Sequence, residues 1–163
     1  MAYRAAIITL SDSGAKGLRA DRSGPLIREM LTEAGFEVVI EQLLSDDAQP
    51  LTDALTDICD HRKADLVLTT GGTGFSPRDN APEATLAAIE RNVPGIAEAM
   101  RAASMRITPR AMLSRGVSGI RGATLIVNLP GSPKAVRENL AAILPALPHG
   151  IAILVGDDGE CGA

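Results

Sequence analysis

The 163-residue sequence has few of the side chains that metal sites and nucleophilic enzymes use most. It contains two cysteines, Cys59 and Cys161, two histidines, His61 and His149, and no tryptophan. Two cysteines so far apart fit neither a disulfide framework nor a zinc pattern. Cys59 and His61 are two residues apart on an expected helix and would point to different faces. We therefore expect no metal site or nucleophile built on cysteine or histidine.

Aromatic residues and long apolar runs are also scarce. Only Tyr3, Phe36 and Phe75 are aromatic, which disfavours binding of single-stranded nucleic acid by stacking. No apolar run approaches the length of a membrane span. The apolar start of the chain reaches Ser11 and Asp12 without a cleavage-like site, which favours a first strand over a signal peptide. The expectation is one globular cytoplasmic domain without a membrane partner.

Charge is distributed unevenly around a net value of −4. Residues 1–98 carry 9 basic and 16 acidic side chains, whereas residues 99–137 carry seven basic ones and no acidic one. An acidic protein with one basic segment suits a small polyanion better than nucleic acid, which favours a domain that is basic as a whole. The alternative is that the basic segment is a solvated helix face.

The spacing of apolar residues predicts strands that alternate with helices. Short runs rich in Ile, Val and Leu mark strands at about 3–10, 36–44, 65–70 and 123–128. Helical spacing lies between them, and Ser132 is expected to open a helix after the last strand. The region 92–122 predicts a helix from Pro94 and then a broken connection. This alternation indicates an α/β fold with an open, largely parallel sheet covered by helices on both faces.

A glycine-rich loop follows the third strand and runs from Gly71 to Asp79. Its glycines allow backbone N–H groups to face an anion, and Arg78 and Asp79 can address a phosphate and a cation. The spacing does not fit a P-loop, which needs a glycine, four further residues and then Gly-Lys-Ser/Thr. It does not fit a dinucleotide fingerprint either, because Pro77 stands where the third glycine is needed. The loop predicts a phosphate site of another kind, and the alternative is a simple strand-to-helix turn.

Polar loops follow all four predicted strands, at 11–14, 45–47, 71–79 and 130–134. Parallel strands bring such loops to one edge of the sheet, where ligands bind. Their carboxylates could hold Mg²⁺ together with phosphate oxygens. Basic and hydroxyl groups could bind the phosphates, which fits phosphoryl or nucleotidyl transfer. The residues are Asp12, Asp46, Asp47, Asp79 and Glu83 as carboxylates, and Arg78, Arg115, Lys134, Ser114 and Ser132 as phosphate ligands.

Some of these residues have structural alternatives. Asp46 or Asp47 could cap the second helix, Glu83 could complete a capping box with Asn80, and Ser114 could stand in an ordinary turn.

Five motifs resemble the MogA/MoaB family of molybdenum-cofactor biosynthesis, to which the G domain of gephyrin is related. They are Thr-Leu-Ser-Asp at 9–12, Thr-Thr-Gly-Gly-Thr-Gly at 69–74, Pro-Arg-Asp-Asn-Ala-Pro-Glu-Ala-Thr at 77–85, Leu-Ser-Arg at 113–115 and Asn-Leu-Pro-Gly-Ser-Pro-Lys at 128–134. The resemblance covers nearly the whole chain. It implies one molybdopterin-binding domain over 1–163 with a three-layer α/β/α fold, a flexible tail from about 157, and a homotrimer.

The resemblance also implies an activity and a set of site residues. In the MogA branch, the terminal phosphate of molybdopterin attacks the α-phosphorus of Mg-ATP, and the product goes on to metal insertion by a molybdenum insertase. Asp79 and Asp46 are then the catalytic and magnesium-binding carboxylates. The glycine loop would bind the nucleotide, with Ser11 and Asp12 nearby, and the pterin phosphate would lie on Ser114, Arg115, Ser132 and Lys134. The full implied binding set is Ser11, Asp12, Thr70, Gly71, Gly72, Thr73, Gly74, Ser114, Arg115, Gly131, Ser132 and Lys134.

Two departures from the family pattern and two alternative functions qualify this implication. Asn80-Ala81 stands where Val-Thr is common, and Ser45-Asp46-Asp47 replaces Pro-Asp-Asp/Glu, which leaves the choice between Asp46 and Asp47 open. The first alternative is a MoaB-type protein that binds molybdopterin or a precursor without transferring AMP. The second is a nucleotide-pyrophosphate hydrolase of the competence-damage type, which needs no pterin.

Overall fold

The computed structural model describes residues 1–157, in which strands alternate with helices as expected. The predicted tail lies, apart from Asp157, outside the described residues. The strands are β1 (Arg4–Leu10), β2 (Glu37–Leu44), β3 (Leu66–Thr70), β4 (Arg91–Asn92), β5 (Ser118–Arg121) and β6 (Thr124–Leu129). The helices are α1 (Asp12–Ala15), α2 (Ser23–Glu33), α3 (Ala48–Asp60), α4 (Ala81–Ala88), α5 (Pro94–Met105), a 3₁₀ helix (Pro109–Leu113), α6 (Pro133–Ile143) and α7 (Leu147–Val155).

The strands form one mixed sheet in the order β2-β1-β3-β6-β5-β4. The first four strands in this order are parallel, and β5 and β4 extend the sheet in antiparallel fashion. The predicted open, mostly parallel α/β sheet is therefore confirmed. Its consequence for the site is that β2, β1, β3 and β6 all end at the same edge.

Helices cover both faces of the sheet and enclose two separate hydrophobic cores. Alternate residues of β1 enter different cores, Ile7 on one side and Ile8 on the other, as the two-residue period of a strand requires. The core around Ile7 takes residues from α2, α5, α6 and α7, and the core around Ile8 takes residues from α3 and α4. Within residues 1–157 no single helix could span a membrane; only α6 and α7, bent by 63°, would pass as a pair by length and composition.

The region 92–122 differs most from the prediction. The helix predicted from Pro94 is present as α5, but the expected broken connection contains β5 as well as the 3₁₀ helix. Gly119 lies inside β5. A Cβ atom there would be 2.6 Å from Ile89 Cδ1 and 2.8 Å from the Arg91 carbonyl. Glycine in this strand therefore allows a close backbone approach.

Helix starts agree with the sequence in part. Ser132 caps α6 as predicted, and its Oγ accepts a hydrogen bond from the Ala135 amide at 3.2 Å. The capping box at α4 is wrong, because the Asn80 side chain accepts no bond from the helix and Glu83 pairs with Arg115 instead.

Candidate active site

The loops that follow the parallel strands are joined at the carboxyl edge of the sheet. The Ser11 amide, after β1, donates to the Leu44 carbonyl at the end of β2 at 2.9 Å. The Gly71 amide, after β3, donates to the Leu129 carbonyl at the end of β6 at 3.2 Å. These bonds bring together the four polar loops that the strand pattern placed at this edge.

Glycine permits the closest of these approaches. Gly71 has φ of 96°, a conformation that favours glycine, and a Cβ atom on it would lie 2.6 Å from the Leu10 carbonyl oxygen. A Cβ atom on Gly131 would lie 3.4 Å from the Gly71 Cα. Beside them, Thr70 Oγ1 donates to the Pro130 carbonyl at 2.6 Å. The backbones after β1, β3 and β6 are thus in contact without intervening side chains.

Asp12 and Asp46 join the loops after β1 and β2 by a reciprocal pair of hydrogen bonds. The Asp12 amide donates to Asp46 Oδ2, and the Asp46 amide donates to Asp12 Oδ1, both at 2.9 Å. Arg78, from the glycine loop, binds both oxygens of Asp12 at 2.9 and 2.8 Å and Asp47 Oδ1 at 2.9 Å. One guanidinium therefore connects three loops and neutralises two of the four aspartates in them.

The pKa values of these aspartates are consequently shifted in different directions. The Arg78 guanidinium and the Asp46 amide lower the pKa of Asp12 to about 2. The same arginine lowers the pKa of Asp47. Burial raises the pKa of Asp46, and the negative charges of Asp12 and Asp79 contribute in the same direction. A bound cation would therefore stabilise the charged form of Asp46.

This geometry bears on the choice between Asp46 and Asp47. Asp47 stands at the N-cap of α3 without a side-chain bond to the helix, and its carboxylate is bound by Arg78 and by Ser45 Oγ at 2.9 Å. Asp46 is half-buried and bonds to Asp12, not to the helix. Neither carboxylate caps α3, and Asp46 is the one directed to the other aspartates.

Asp79 ends the glycine loop and is held from within it. Its Oδ2 accepts a bond from the Ser76 amide at 2.9 Å and would lie 2.9 Å from a Cβ atom on Gly74. In residues 1–157, neither Asp79 Oδ1 nor Asp46 Oδ1 takes part in a hydrogen bond of the structure. Asp79 and Asp46 therefore each offer one carboxylate oxygen.

Carboxylate oxygens such as these two could hold Mg²⁺ together with substrate phosphates. The described part of the chain has no group of three or more His, Cys, Asp or Glu residues that could hold a metal. Mg²⁺ is commonly held by one or two carboxylates, with substrate phosphates and water completing an octahedron. Asp46 and Asp79 match that donor set.

Arg115 is bonded to the same loop rather than left free. Its guanidinium donates to the Gly74 and Asp79 carbonyls, both at 2.8 Å, and to the Glu83 carboxylate. Its amide donates to the Thr73 carbonyl at 2.8 Å. The contact with Arg115 lowers the pKa of Glu83.

Two cavities flank the glycine loop. The first, of about 440 Å³, lies between the loops after β1, β3 and β6 and the start of α2. The second, of about 270 Å³, lies between the glycine loop, α5, the 3₁₀ helix and α6. Predicted binding residues are divided between them: Ser11, Thr70, Gly71, Gly131 and Ser132 line the first, and Thr73, Gly74 and Ser114 line the second.

The remaining predicted residues lie outside these linings. Gly72 separates the cavities, and a Cβ atom on it would lie 3.3 Å from Ala81 Cβ. Asp12 is paired with Arg78, and Asp46 is close enough to Asp12 and Asp79 to feel their charges. Arg115 binds the Gly74 and Asp79 carbonyls of the glycine loop. Lys134 is 82% exposed, 3.9 Å from Glu138, and is not brought to either cavity.

Sequence analysis missed the segment that precedes α2. Asp21 Oδ1 accepts bonds from the amides of Ser23 and Gly24, at 3.1 and 3.0 Å, and so caps the start of α2. Asp21 Oδ2 accepts a bond from Thr9 Oγ1 at 2.8 Å. Arg19 and Arg22 line the first cavity as well. The two arginines between α1 and α2 were the available signal.

Comparison with known proteins agrees with the motifs. Residues 6–149 match a family described as a probable molybdopterin binding domain. A molybdopterin adenylyltransferase of Helicobacter pylori is 39% identical over 153 residues, which cover 93% of this chain and 87% of that protein. Gephyrin of Dictyostelium discoideum is 42% identical over 158 residues, which cover 91% of this chain and 22% of gephyrin.

A solved structure shares the fold closely. The molybdopterin biosynthesis enzyme MoaB of Thermus thermophilus superposes with a TM-score of 0.90 at 49% identity, covering 94% of this chain and 97% of that one. The two chains thus share one fold over almost their whole length.

Proposed function

The chain belongs to the molybdopterin-binding family of MogA and MoaB, and from this premise we propose that it is a molybdopterin adenylyltransferase. In the proposed reaction, the terminal phosphate of molybdopterin attacks the α-phosphorus of ATP. The bond from the α-phosphorus to the bridging oxygen breaks, and pyrophosphate leaves. The products are adenylylated molybdopterin and pyrophosphate.

One observation carries the proposal beyond membership of the family. Asp46 and Asp79 each keep a carboxylate oxygen without a hydrogen bond in residues 1–157, while Asp12 and Asp47 beside them are bound by Arg78. The glycine loop that ends in Asp79 also separates two cavities. Two substrates with phosphate groups and one cation suit this arrangement.

Each group then has a task in transfer. Asp46 and Asp79 would hold Mg²⁺, which neutralises phosphate charge when it is bound. Amides of the loop from Gly71 to Gly74 would bind the nucleotide phosphates, with Ser11 and Asp12 beside them. Ser132, which caps α6 and lines the first cavity, and Ser114, which lines the second, would bind phosphate groups on the two sides of the glycine loop.

Catalysis in this scheme comes from position and electrostatics. No cysteine–histidine or serine–histidine pair lies among the predicted site residues, and Cys59 is buried in the core between the sheet and α3. The two phosphates would be brought together between fixed dipoles and charges, which supplies most of the rate in phosphoryl and nucleotidyl transfer.

The test is incubation of the purified protein with molybdopterin and Mg-ATP, followed by chromatography of the pterin. We expect an AMP-modified pterin that depends on all three components. Pterin binding without this product would favour the MoaB-type binder. Hydrolysis of a nucleotide pyrophosphate without pterin would favour the competence-damage type.

We further propose that the active form is a homotrimer in the cytoplasm, where ATP is available, and that a molybdenum insertase consumes its product. Exposed apolar side chains at the end of α5 and in the 3₁₀ helix support burial against another copy. They are Met105, Ile107, Met112 and Leu113. Sedimentation equilibrium should give three times the 16.9 kDa of one chain, and the mass of a monomer would refute the trimer.

A further inference from the structure

The Arg115 side chain binds both ends of the second half of the glycine loop. The carbonyls that accept from its guanidinium, at 2.8 Å each, belong to Gly74 and Asp79, the first and last residues of the segment 74–79. Glu83, in the first turn of α4, binds the same guanidinium. One side chain therefore ties the segment to itself and to the following helix.

The other bonds of the segment come mainly from its own turn and from Arg78. The segment has no helix or strand, and its residues from Phe75 to Arg78 are exposed. Inside it, the Asp79 amide donates to the Ser76 carbonyl and the Ser76 amide donates to Asp79 Oδ2, both at 2.9 Å. These bonds shape the turn, and Arg78 attaches its outer part to Asp12 and Asp47 in the loops after β1 and β2, but none of them binds the Gly74 or Asp79 carbonyl. Arg115, whose own amide is bonded to Thr73, supplies an attachment.

The same contacts leave Arg115 poorly suited to bind a phosphate. Three of its five N–H donors are taken by protein acceptors. The charge is opposed by Glu83, and only 34% of the side chain is exposed. A phosphate ligand would have to compete with Glu83 for the guanidinium.

We propose that Arg115 is a positioning residue, which holds the segment 74–79 so that Asp79 presents its free carboxylate oxygen beside Asp46, and that it does not bind the pterin phosphate. The inference rests on the proposed function, because it assigns Asp79 a part in AMP transfer. It replaces the role of phosphate ligand that the sequence resemblance implied for Arg115.

Substitution by lysine separates the two roles. Lysine keeps the positive charge on which a phosphate ligand relies, but its single ammonium group cannot span two carbonyls and a carboxylate as a guanidinium does. A displacement of about 1 Å in a catalytic group can cost roughly 100-fold in rate. We therefore expect Arg115→Lys and Arg115→Ala to lower kcat by roughly 100-fold each, while KM for molybdopterin changes by less than about threefold.

Arg121→Lys provides a matched control. Arg121 makes the same kind of contacts, with Asp60 at 2.8 and 3.0 Å and with the Ala88 carbonyl at 2.8 Å. It ends β5 opposite Thr124, the first residue of β6, and so lies at the other edge of the sheet. This variant should keep the kcat of the unaltered protein.

Hydrogen–deuterium exchange of the protein without substrates tests the positioning role independently of activity. In Arg115→Lys, amides of the segment 74–79 should exchange at least about tenfold faster, and in Arg121→Lys they should not change. If the unaltered protein transfers no AMP, the proposed function fails, and exchange still decides the role of Arg115. Unchanged exchange in the segment would overturn the positioning role.

Steady-state kinetics test the role of Arg115 a second time. A milder variant serves if the Arg115 variants do not fold. Near-normal kcat in Arg115→Lys, together with a raised KM in Arg115→Ala, would overturn the proposal in favour of a phosphate ligand. If the Arg115 variants do not fold, Glu83→Gln serves, since it keeps both carbonyl bonds. We expect it to lower kcat with KM unchanged; a lower KM, from a guanidinium freed for phosphate, would overturn the proposal.

Discussion

Asp46→Asn should abolish most AMP transfer, whereas Asp47→Asn should lower it only modestly. The two residues are adjacent, so the pair of variants tests geometry rather than general sensitivity of the loop. Asparagine at position 46 keeps an oxygen to accept the 2.9 Å bond from the Asp12 amide. The fold should persist while the negative charge is removed.

The expected magnitudes follow from what each carboxylate touches. Asp46 is half-buried beside Asp12 and Asp79, and its charge would have no replacement in holding a cation. Loss of a preorganised electrostatic group costs roughly 100- to 1000-fold in kcat. Asp47 is 56% exposed and bonds to Arg78, which keeps two bonds to Asp12. Exposed ion pairs contribute little, so we expect a loss of no more than about fivefold.

The assay is steady-state formation of adenylylated molybdopterin over a series of Mg²⁺ concentrations. Asp46→Asn should also require more Mg²⁺ for half-maximal rate, and Asp47→Asn should not. Direct Mn²⁺ binding, followed by electron paramagnetic resonance, gives a readout besides activity. Equal losses in both variants, or a loss confined to Asp47→Asn, would refute the reasoning.

Three further predictions concern other parts of the structure. Asp79→Asn keeps an acceptor for the Ser76 amide, so it should retain pterin binding yet lose roughly 100-fold or more in kcat; unchanged turnover would remove Asp79 from the mechanism. Gly71→Ala places a Cβ atom on a residue with φ of 96° and against the Leu10 carbonyl. It should lower the free energy of unfolding, measured by urea denaturation, by about 1–3 kcal/mol. An unchanged midpoint would contradict the close packing of the loops. Burial raises the pKa of Cys59 to about 11, so little of its thiolate is present at pH 8. In a Cys161→Ser background, iodoacetamide should therefore react with the folded protein far more slowly than with the protein unfolded in urea. Equal rates would contradict the buried thiol.

Three of the four parallel strands, β1, β3 and β6, were predictable because they are buried on both faces. All residues of β3 and β6 are buried, so both read as continuous apolar runs with polar ends. β4 and β5 were not predictable in this way. β4 has two residues, both exposed, and β5 contains Gly119, whose role depends on contacts with Ile89 and Arg91 about 30 residues earlier in the chain.

The site was predictable at the level of loops but not of bonds. The rule that ligands bind at the carboxyl edge of parallel strands was enough to bring Asp12, Asp46 and Asp79 together. The choice between Asp46 and Asp47 depends on the reciprocal bonds between the loops after β1 and β2, which no local pattern encodes. Arg115 was expected to bind phosphate because of its charge, whereas its partners come from a loop 36–41 residues earlier.

The central claim is that AMP moves from ATP to the pterin, and labelled ATP tests it most directly. The protein would be given molybdopterin, Mg²⁺ and ATP that carries a label on either the α- or the γ-phosphorus. The account predicts that the α-label appears in the pterin product and the γ-label in an equal amount of pyrophosphate. Label recovered only as free AMP or inorganic phosphate, or left in ATP while molybdopterin is bound, would contradict it.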